Sequence, residues 1–167
     1  MVWMNNDGLL VKFGKEKGIA ANGGSYRFVG PLDCIEIDVD YRKLNAFGTN
    51  TILSDTVKVP NGVLLKSAEF QVDVAFTGAT ATLTLGLYDS DRTTAYDEDG
   101  IDATIALTAI DAIGEVVACD GALIGTVLAN NTPSLITALV GTANFTAGRG
   151  KLRLYFYRPT VAATPAT

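Results

Sequence analysis

Two stretches of this chain share one layout, and in both of them apolar side chains occupy alternate positions. Phe76-Thr77 is followed, after five residues, by Leu83-Thr84-Leu85-Gly86-Leu87-Tyr88. Phe145-Thr146, 69 residues later, is followed after five residues by Leu152-Arg153-Leu154-Tyr155-Phe156-Tyr157. A period of two residues places every second side chain on the same face of a β-strand. We therefore interpret each stretch as a tight turn that leads into a strand with one buried face.

The same alternation recurs along much of the chain. Residues 32–41 alternate apolar with acidic side chains, and residues 68–76 alternate apolar with polar ones. The turn residues Thr77-Gly78-Ala79-Thr80 predict an antiparallel hairpin from the second of these strands into residues 81–88. Further strands are predicted at residues 9–13, 57–59, 123–128, 135–140 and 151–158. The side chains of residues 68–76 predicted to face the core are Ala68, Phe70, Val72, Val74 and Phe76.

One segment has a different period. Alanines recur every three residues from Ala103 to Ala112, and Ile101 and Ile105 are four apart. This spacing is typical of a helix, which Asp99 could cap and Gly114 could end. We predict one short helical excursion around residues 99–113, serving as a crossover between sheets.

About eight strands without strand–helix alternation predict an all-β fold. A two-sheet antiparallel β-sandwich of jelly-roll type fits best, and an immunoglobulin-like sandwich is the alternative. A chain of 167 residues is one domain, or a domain with an arm. Six glycines interrupt residues 1–30, which we interpret as an extended arm preceding a sandwich domain at residues 31–159. Residues 160–167, rich in Ala, Thr and Pro, are expected to form a flexible tail.

Charge is distributed unevenly along the chain. Residues 89–120 carry nine carboxylates and one cation, Arg92, whereas residues 121–167 carry four cations and no acid. Such a distribution favours docking between copies or onto a charged neighbour. The alternative is that the two regions neutralise each other within one fold. An acidic chain with four cations on its last strand is not expected to bind nucleic acid.

The residue types needed for most enzymatic chemistry are missing. The chain has no histidine, which excludes Ser-His-Asp and Cys-His catalysis and histidine-ligated zinc. It has no phosphate-binding glycine loop. An enzyme would have to use paired carboxylates, as in glycoside hydrolysis. We therefore predict no enzyme and assign no catalytic residue, cofactor-binding residue or metal ligand, and no cofactor.

Two carboxylate groups could still carry chemistry. Glu36, Asp38 and Asp40 project from the same strand face, where Lys151 and Arg153 of the last strand are expected partners. The loop from Asp89 to Asp99 has alternating oxygen ligands like a calcium loop. However, its glycine comes too late, and no Glu closes twelve residues. A solvated turn-forming loop is the preferred interpretation, with weak calcium binding as the alternative.

The two cysteines and the last-strand tyrosines allow several interpretations. Cys34 and Cys119 are expected to be reduced and buried, and a disulfide between them is the less favoured alternative. Tyr155 and Tyr157 share a face with Arg153. Exposed tyrosines there could stack on sugar rings or contact a neighbouring subunit, whereas the plainest interpretation is a sheet face covered by a loop.

The chain resembles small virion structural proteins of tailed phages over nearly its whole length. The motifs that carry the resemblance are Asn6-Asp7-Gly8-Leu9-Leu10-Val11-Lys12-Phe13-Gly14, Val59-Pro60-Asn61-Gly62, Leu83-Thr84-Leu85-Gly86-Leu87-Tyr88, Asp97-Glu98-Asp99-Gly100-Ile101, Asp111-Ala112-Ile113-Gly114-Glu115-Val116-Val117, Phe145-Thr146-Ala147-Gly148 and Leu152-Arg153-Leu154-Tyr155-Phe156-Tyr157-Arg158-Pro159. Some similar proteins decorate the phage head, so the resemblance implies non-enzymatic work in the capsid and transfers no catalytic residue.

The expected role is that of a capsid decoration (cement) protein. It would bind the major capsid protein on the outer surface of the head as a homo-oligomer, with a trimer favoured, and residues 1–30 would become ordered on docking. The alternatives are a head fibre, tail fibre or baseplate component, or a carbohydrate-binding module. No apolar run approaches the ~20 residues needed to span a bilayer, and no signal peptide is visible at the start. We therefore expect no membrane partner, and synthesis in the host cytoplasm.

Overall fold

A computed structural model describes residues 2–4, 10–12, 32–129 and 132–158. The chain divides into two compact units, residues 1–30 and residues 31–167. In the first unit, β1 (Val2–Met4) and β2 (Leu10–Lys12) form an antiparallel pair in which Trp3 lies opposite Val11. β2 coincides with the strand predicted at residues 9–13. The rest of the predicted arm and the tail at 160–167 lie outside the described residues.

The second unit contains nine strands within the described residues. They are β3 (Asp33–Asp40), β4 (Asn50–Ile52), β5 (Lys58–Val59), β6 (Leu64–Gly78), β7 (Thr82–Tyr88), β8 (Ala95–Ala106), β9 (Val116–Cys119), β10 (Ser134–Gly141) and β11 (Phe145–Tyr157). One sheet has the order β3-β11-β6-β9, and the other has the order β4-β10-β7-β8, with β5 also paired to β10. All pairs are antiparallel.

This strand order is that of a jelly roll. The first strand of the sandwich, β3, pairs with the last, β11, and the chain passes from one sheet to the other at nearly every connection. One continuous core is built from alternate side chains of both sheets, including Phe70, Leu85 and Leu152, each 0% exposed. The predicted all-β, two-sheet antiparallel sandwich is confirmed.

The two repeated stretches meet in space. The rings of Phe76 and Phe145 pack edge to face with centroids 5.1 Å apart, and the hydroxyls of Thr77 and Thr146 are 2.8 Å apart. Only the first stretch turns, because the second continues as one strand with register shifts between residues 145 and 150. At Gly148, φ is +133°, and a Cβ there would collide with the ring of Phe76. The expected second tight turn is therefore a β-bulge.

The helix predicted around residues 99–113 is wrong. β8 continues through Ala106, and only a single 3-10 turn follows, at Leu107–Ala109. Ile101 and Ile105 are both buried, and a separation of four residues places two side chains on one face of a strand as readily as on one face of a helix. The register shifts of β8 disturb its alternation, since Gly100, Ile101 and Asp102 are buried in succession and Ala103 and Thr104 are both exposed.

Three further predictions need correction. The turn at residues 77–80 does not form a hairpin, since β6 and β7 belong to different sheets. The strand predicted at 123–128 is a series of turns with one bridge, between Leu64 and Val127. Val74 was expected in the core, but it is 41% exposed because the register of β6 against β11 shifts near the end of the strand.

Candidate interaction surfaces

A ladder of ion pairs crosses the outer face of the four-stranded sheet. Lys151 donates to Glu36 and Asp38 at 3.0 Å each, and Arg153 donates to Glu36 at 2.7 Å. The β3–β11 register explains these pairs, because it places Lys151 opposite Asp38 and Arg153 opposite Glu36. The hydrogen bonds from Arg153 and Lys151 lower the pKa of Glu36. The cationic partners predicted for Glu36 and Asp38 are confirmed.

The ladder continues onto β6. Arg153 also donates to Gln71 at 2.7 Å and to Glu69 at 3.2 Å. The hydroxyl of Tyr155 donates to Glu69 at 3.0 Å, which raises the pKa of Tyr155. Tyr155 and Tyr157 are both partly buried on the same side of the strand as Arg153. The polar tip of Tyr155 is therefore already engaged within the sheet.

Asp40 does not belong to this ladder. It accepts hydrogen bonds from the backbone N–H and Nε of Arg42 at 3.0 Å each, and from Nη2 at 2.5 Å. The side chain caps the 3-10 turn at Tyr41–Lys43 that follows β3. The Arg42 bonds hold the pKa of Asp40 well below its usual range. The expectation that Asp40 shares its cations with Glu36 and Asp38 is therefore wrong.

The acidic loop between β7 and β8 is organised by its own hydrogen bonds. Asp91 accepts from the N–H groups of Thr93 and Thr94 at 2.9 Å and from the Thr94 hydroxyl at 2.6 Å, and these bonds lower its pKa to about 2. Burial and a hydrogen bond with Asp99 raise the pKa of Asp97. Within the described residues, no group of three or more His, Cys, Asp or Glu side chains is arranged to hold a metal ion.

The described ion pairs show which acids the cations of the last strand contact. Lys151, Arg153 and Arg158 pair with acids of β3 and β6, outside the acidic segment 89–120. Arg92, the cation within that segment, pairs with Asp55. None of the nine carboxylates of residues 89–120 forms an ion pair with a described cation. The acidic segment and the basic last strand therefore do not neutralise each other by direct pairing in the described part of the chain.

The cysteines are free and far apart. Cys34 lies on β3 and Cys119 on β9, at opposite edges of the four-stranded sheet. Three strand spacings separate them, roughly 14 Å, which is too far for a disulfide. Cys119 is buried as expected, which raises its pKa to about 12. Cys34 is exposed, so its predicted burial is wrong.

Two adjoining hollows lie at one end of the sandwich. The larger, of about 320 Å³, is lined by Tyr41, Leu44, Asn45, Ala46, Val140, Asn144 and Phe145. The smaller, of about 200 Å³, is lined by Asp40, Tyr41, Arg42, Val74, Ala147, Gly148 and Arg149. Sequence reasoning did not find them, because their residues come from three distant segments. The aromatic Tyr41 directly after a strand and before a basic pair was the one available signal.

The sandwich is similar to chains in three phage capsid structures. In the capsid asymmetric unit of cyanophage Pam1, a chain is 17% identical with a TM-score of 0.51, covering 85% of this chain and 100% of that one. In the capsid of Ralstonia phage GP4, a chain is 17% identical with a TM-score of 0.57, and the similarity covers 84% of this chain and 92% of that one. In the acid-stable capsid of Helicobacter pylori bacteriophage KHP30, a chain is 17% identical with a TM-score of 0.50, and the similarity covers 78% of this chain and 90% of that one. At this identity, the comparison shows a shared fold.

No protein-family model matches the chain, and no curated protein matches it significantly. Among the described residues, none of the helical segments has the length and apolarity required to cross a bilayer.

Proposed function

We propose that this protein is a structural component of a phage virion, and specifically a decoration (cement) protein on the outer surface of the head. The observation that carries the proposal is the recurrence of its sandwich in chains from three phage capsids. The motifs that resemble small virion proteins of tailed phages point independently to the same class.

The extent of the similarity supports an accessory role in the shell. The similarity spans 100%, 92% and 90% of the three capsid chains, so each of those chains is little more than one such sandwich. We propose that this sandwich likewise binds to a shell formed by a different polypeptide, the major capsid protein. We propose that it does so as a homotrimer.

The surface chemistry fits binding better than catalysis. The chain has no histidine, and the charged side chains of the ladder are hydrogen-bonded to one another. The carboxylates of residues 89–120 have no described cationic partner and would suit a basic neighbouring surface. Contact area and complementary charge would then stabilise the shell without any chemical step.

The proposal can be tested by adding the protein back to particles that lack it. Particles of the parent phage are prepared with the gene deleted, mixed with purified protein, and separated by sedimentation. We expect saturable co-sedimentation and release of the genome at a higher temperature than in undecorated particles. A Glu36→Gln variant, altered in the ion-pair ladder of the four-stranded sheet, serves as a control for nonspecific charge effects and should bind equally well.

Two results would overturn the decoration role. One is the absence of binding to intact heads. The other is gold-labelled protein located only on tails, fibres or baseplates, which would assign it to a different part of the virion.

A further inference from the structure

An apolar side chain projects from the segment that joins β8 to β9. Ile113 is 75% exposed, the largest exposed fraction among the large hydrophobic residues described. Its position is fixed by the backbone on both sides, since Gly114 donates to Val72 at 2.9 Å and Phe76 donates to Ile110 at 2.9 Å. Ile113 is therefore held outward on an ordered turn.

Carboxylates flank this side chain. Asp111 is exposed, and Glu115 is partly exposed while one of its oxygens accepts from Ala112 N–H at 3.0 Å. Neither acid forms an ion pair with a described cation. We call residues 111–115 the acidic knob. A single exposed isoleucine needs no explanation, but one framed by two unpaired carboxylates resembles the apolar centre and charged rim of an interface.

The larger hollow offers complementary chemistry at the same end of the sandwich. Its volume of about 320 Å³ is ample for one isoleucine side chain, and Leu44, Val140 and Phe145 give it apolar walls. The smaller hollow shares Tyr41 with it and adds Val74, which is 41% exposed.

Two unpaired cations lie at or next to the residues that line the hollows. Arg149 lines the smaller hollow, and Lys43 belongs to the turn that begins with Tyr41. Among the described residues, neither cation has an ion-pair partner, whereas Arg42 is already paired with Asp40. The hollows therefore present a partly apolar depression, with Asn45 and Asn144 among the residues that line the larger one, and unpaired positive charge beside it. The acidic knob presents an apolar projection with unpaired negative charge.

We propose that the acidic knob of one copy inserts into the larger hollow of a second copy, with Asp111 and Glu115 facing Lys43 and Arg149. This inference specifies the contact behind the proposed homo-oligomer and does not depend on capsid binding. The knob and the hollow are different surfaces, so the contact can close into a ring such as the expected trimer.

Native mass spectrometry and sedimentation of the full chain test the contact. We expect the wild type to form a defined oligomer. Ile113→Asp should weaken association by about tenfold or more, as truncation of an interface anchor does, and Ala46→Trp should do the same by filling the hollow. Val127→Asp is the matched control, because Val127 is 54% exposed but lies near the opposite end of β6; this variant should remain oligomeric. Melting temperatures of all variants exclude unfolding as the cause.

Exchanging the charges of Arg149 and Asp111 tests whether these two side chains pair across the contact. Arg149→Glu and Asp111→Arg should each weaken association, and the double variant should recover much of it. A wild type that is monomeric at every concentration, or an Ile113→Asp variant that associates normally, would overturn the inference. A monomer that still co-sediments with heads would overturn it and leave the decoration role intact.

Discussion

Gly86 lies at a position where the backbone of a neighbouring strand leaves no room for a side chain. It lies on β7 beneath the large irregularity of β8, where two residues of β7 span the same distance as five of β8. A Cβ at this position would collide with the carbonyl of Glu98 and lie 2.5 Å from that of Asp97. Because both atoms belong to the backbone, rotation of a side chain cannot relieve the overlap.

We therefore expect Gly86→Ala to destabilise the protein by about 3 kcal/mol through overpacking. The control is Gly62→Ala, at a turn with φ +70° and open space around the added methyl, where the expected cost is about 1 kcal/mol. Denaturant unfolding measures both. Equal stability of the two variants would show that β8 does not cover Gly86.

Asp102 is a carboxyl whose burial opposes its ionisation. It is 4% exposed, it accepts from Thr104 N–H at 3.0 Å, and burial raises its pKa. A raised folded-state pKa means that stability is lost as the pH rises through that value. Asp102→Asn keeps an acceptor for Thr104 and removes the charge. We expect it to raise the melting temperature at pH 8, with the difference shrinking toward pH 4.

Asp91 should show the opposite dependence. Its pKa is lowered to about 2 by hydrogen bonds from Thr94 and Thr93, so its stabilisation is present above the unfolded value of about 3.9 and is lost toward pH 2. Asp91→Asn should lower the melting temperature at pH 7 and approach the wild type in acid. Scanning calorimetry across pH would contradict this account if the two variants changed in the same direction.

At the scale of the element, the alternation of apolar side chains predicted several strands, but it did not predict β8. Residues 32–41, 68–76 and 151–158 correspond to β3, β6 and β11, because each buries alternate side chains against one core. β8 was not predicted because the spacing of four residues between Ile101 and Ile105 fits one face of a helix as well as one face of a strand, and the register shifts of β8 disturb its alternation of buried side chains. The position of a bulge depends on how a strand pairs with its neighbour, so it cannot be deduced from the periodicity of one segment.

The ion-pair ladder is an element-scale feature that cross-strand pairing made predictable. Glu36 accepts from both Lys151 and Arg153, so Glu36→Gln should lower the melting temperature, and 1 M salt should reduce the difference by screening exposed charges. Asp73→Asn is the control on β6, since Asp73 forms no ion pair within the described residues. A loss that is independent of salt would contradict an electrostatic role for the ladder.

At the scale of the whole molecule, the two-sheet architecture was predictable, whereas the path between sheets was not. The turn after Gly78 has the residues of a hairpin, yet it carries the chain from β6 to β7 in the other sheet. The same turn residues suit a hairpin within one sheet and a connection between two sheets. The chain crosses to the other sheet because the apolar faces of β6 and β7 are then both buried in the core between the sheets. The hollows were missed for the same reason, since residues 41–46 and 140–145 meet only after the sheets have packed.

The predicted association with the head is also a property of the whole molecule. The most direct measurement is a cryo-EM reconstruction of the parent particle at a resolution that separates β-strands. Our account predicts a two-sheet sandwich seated on the outside of the head, in contact with the major capsid protein. Density for this chain only in the tail, fibres or baseplate, or its absence from the particle, would contradict the account.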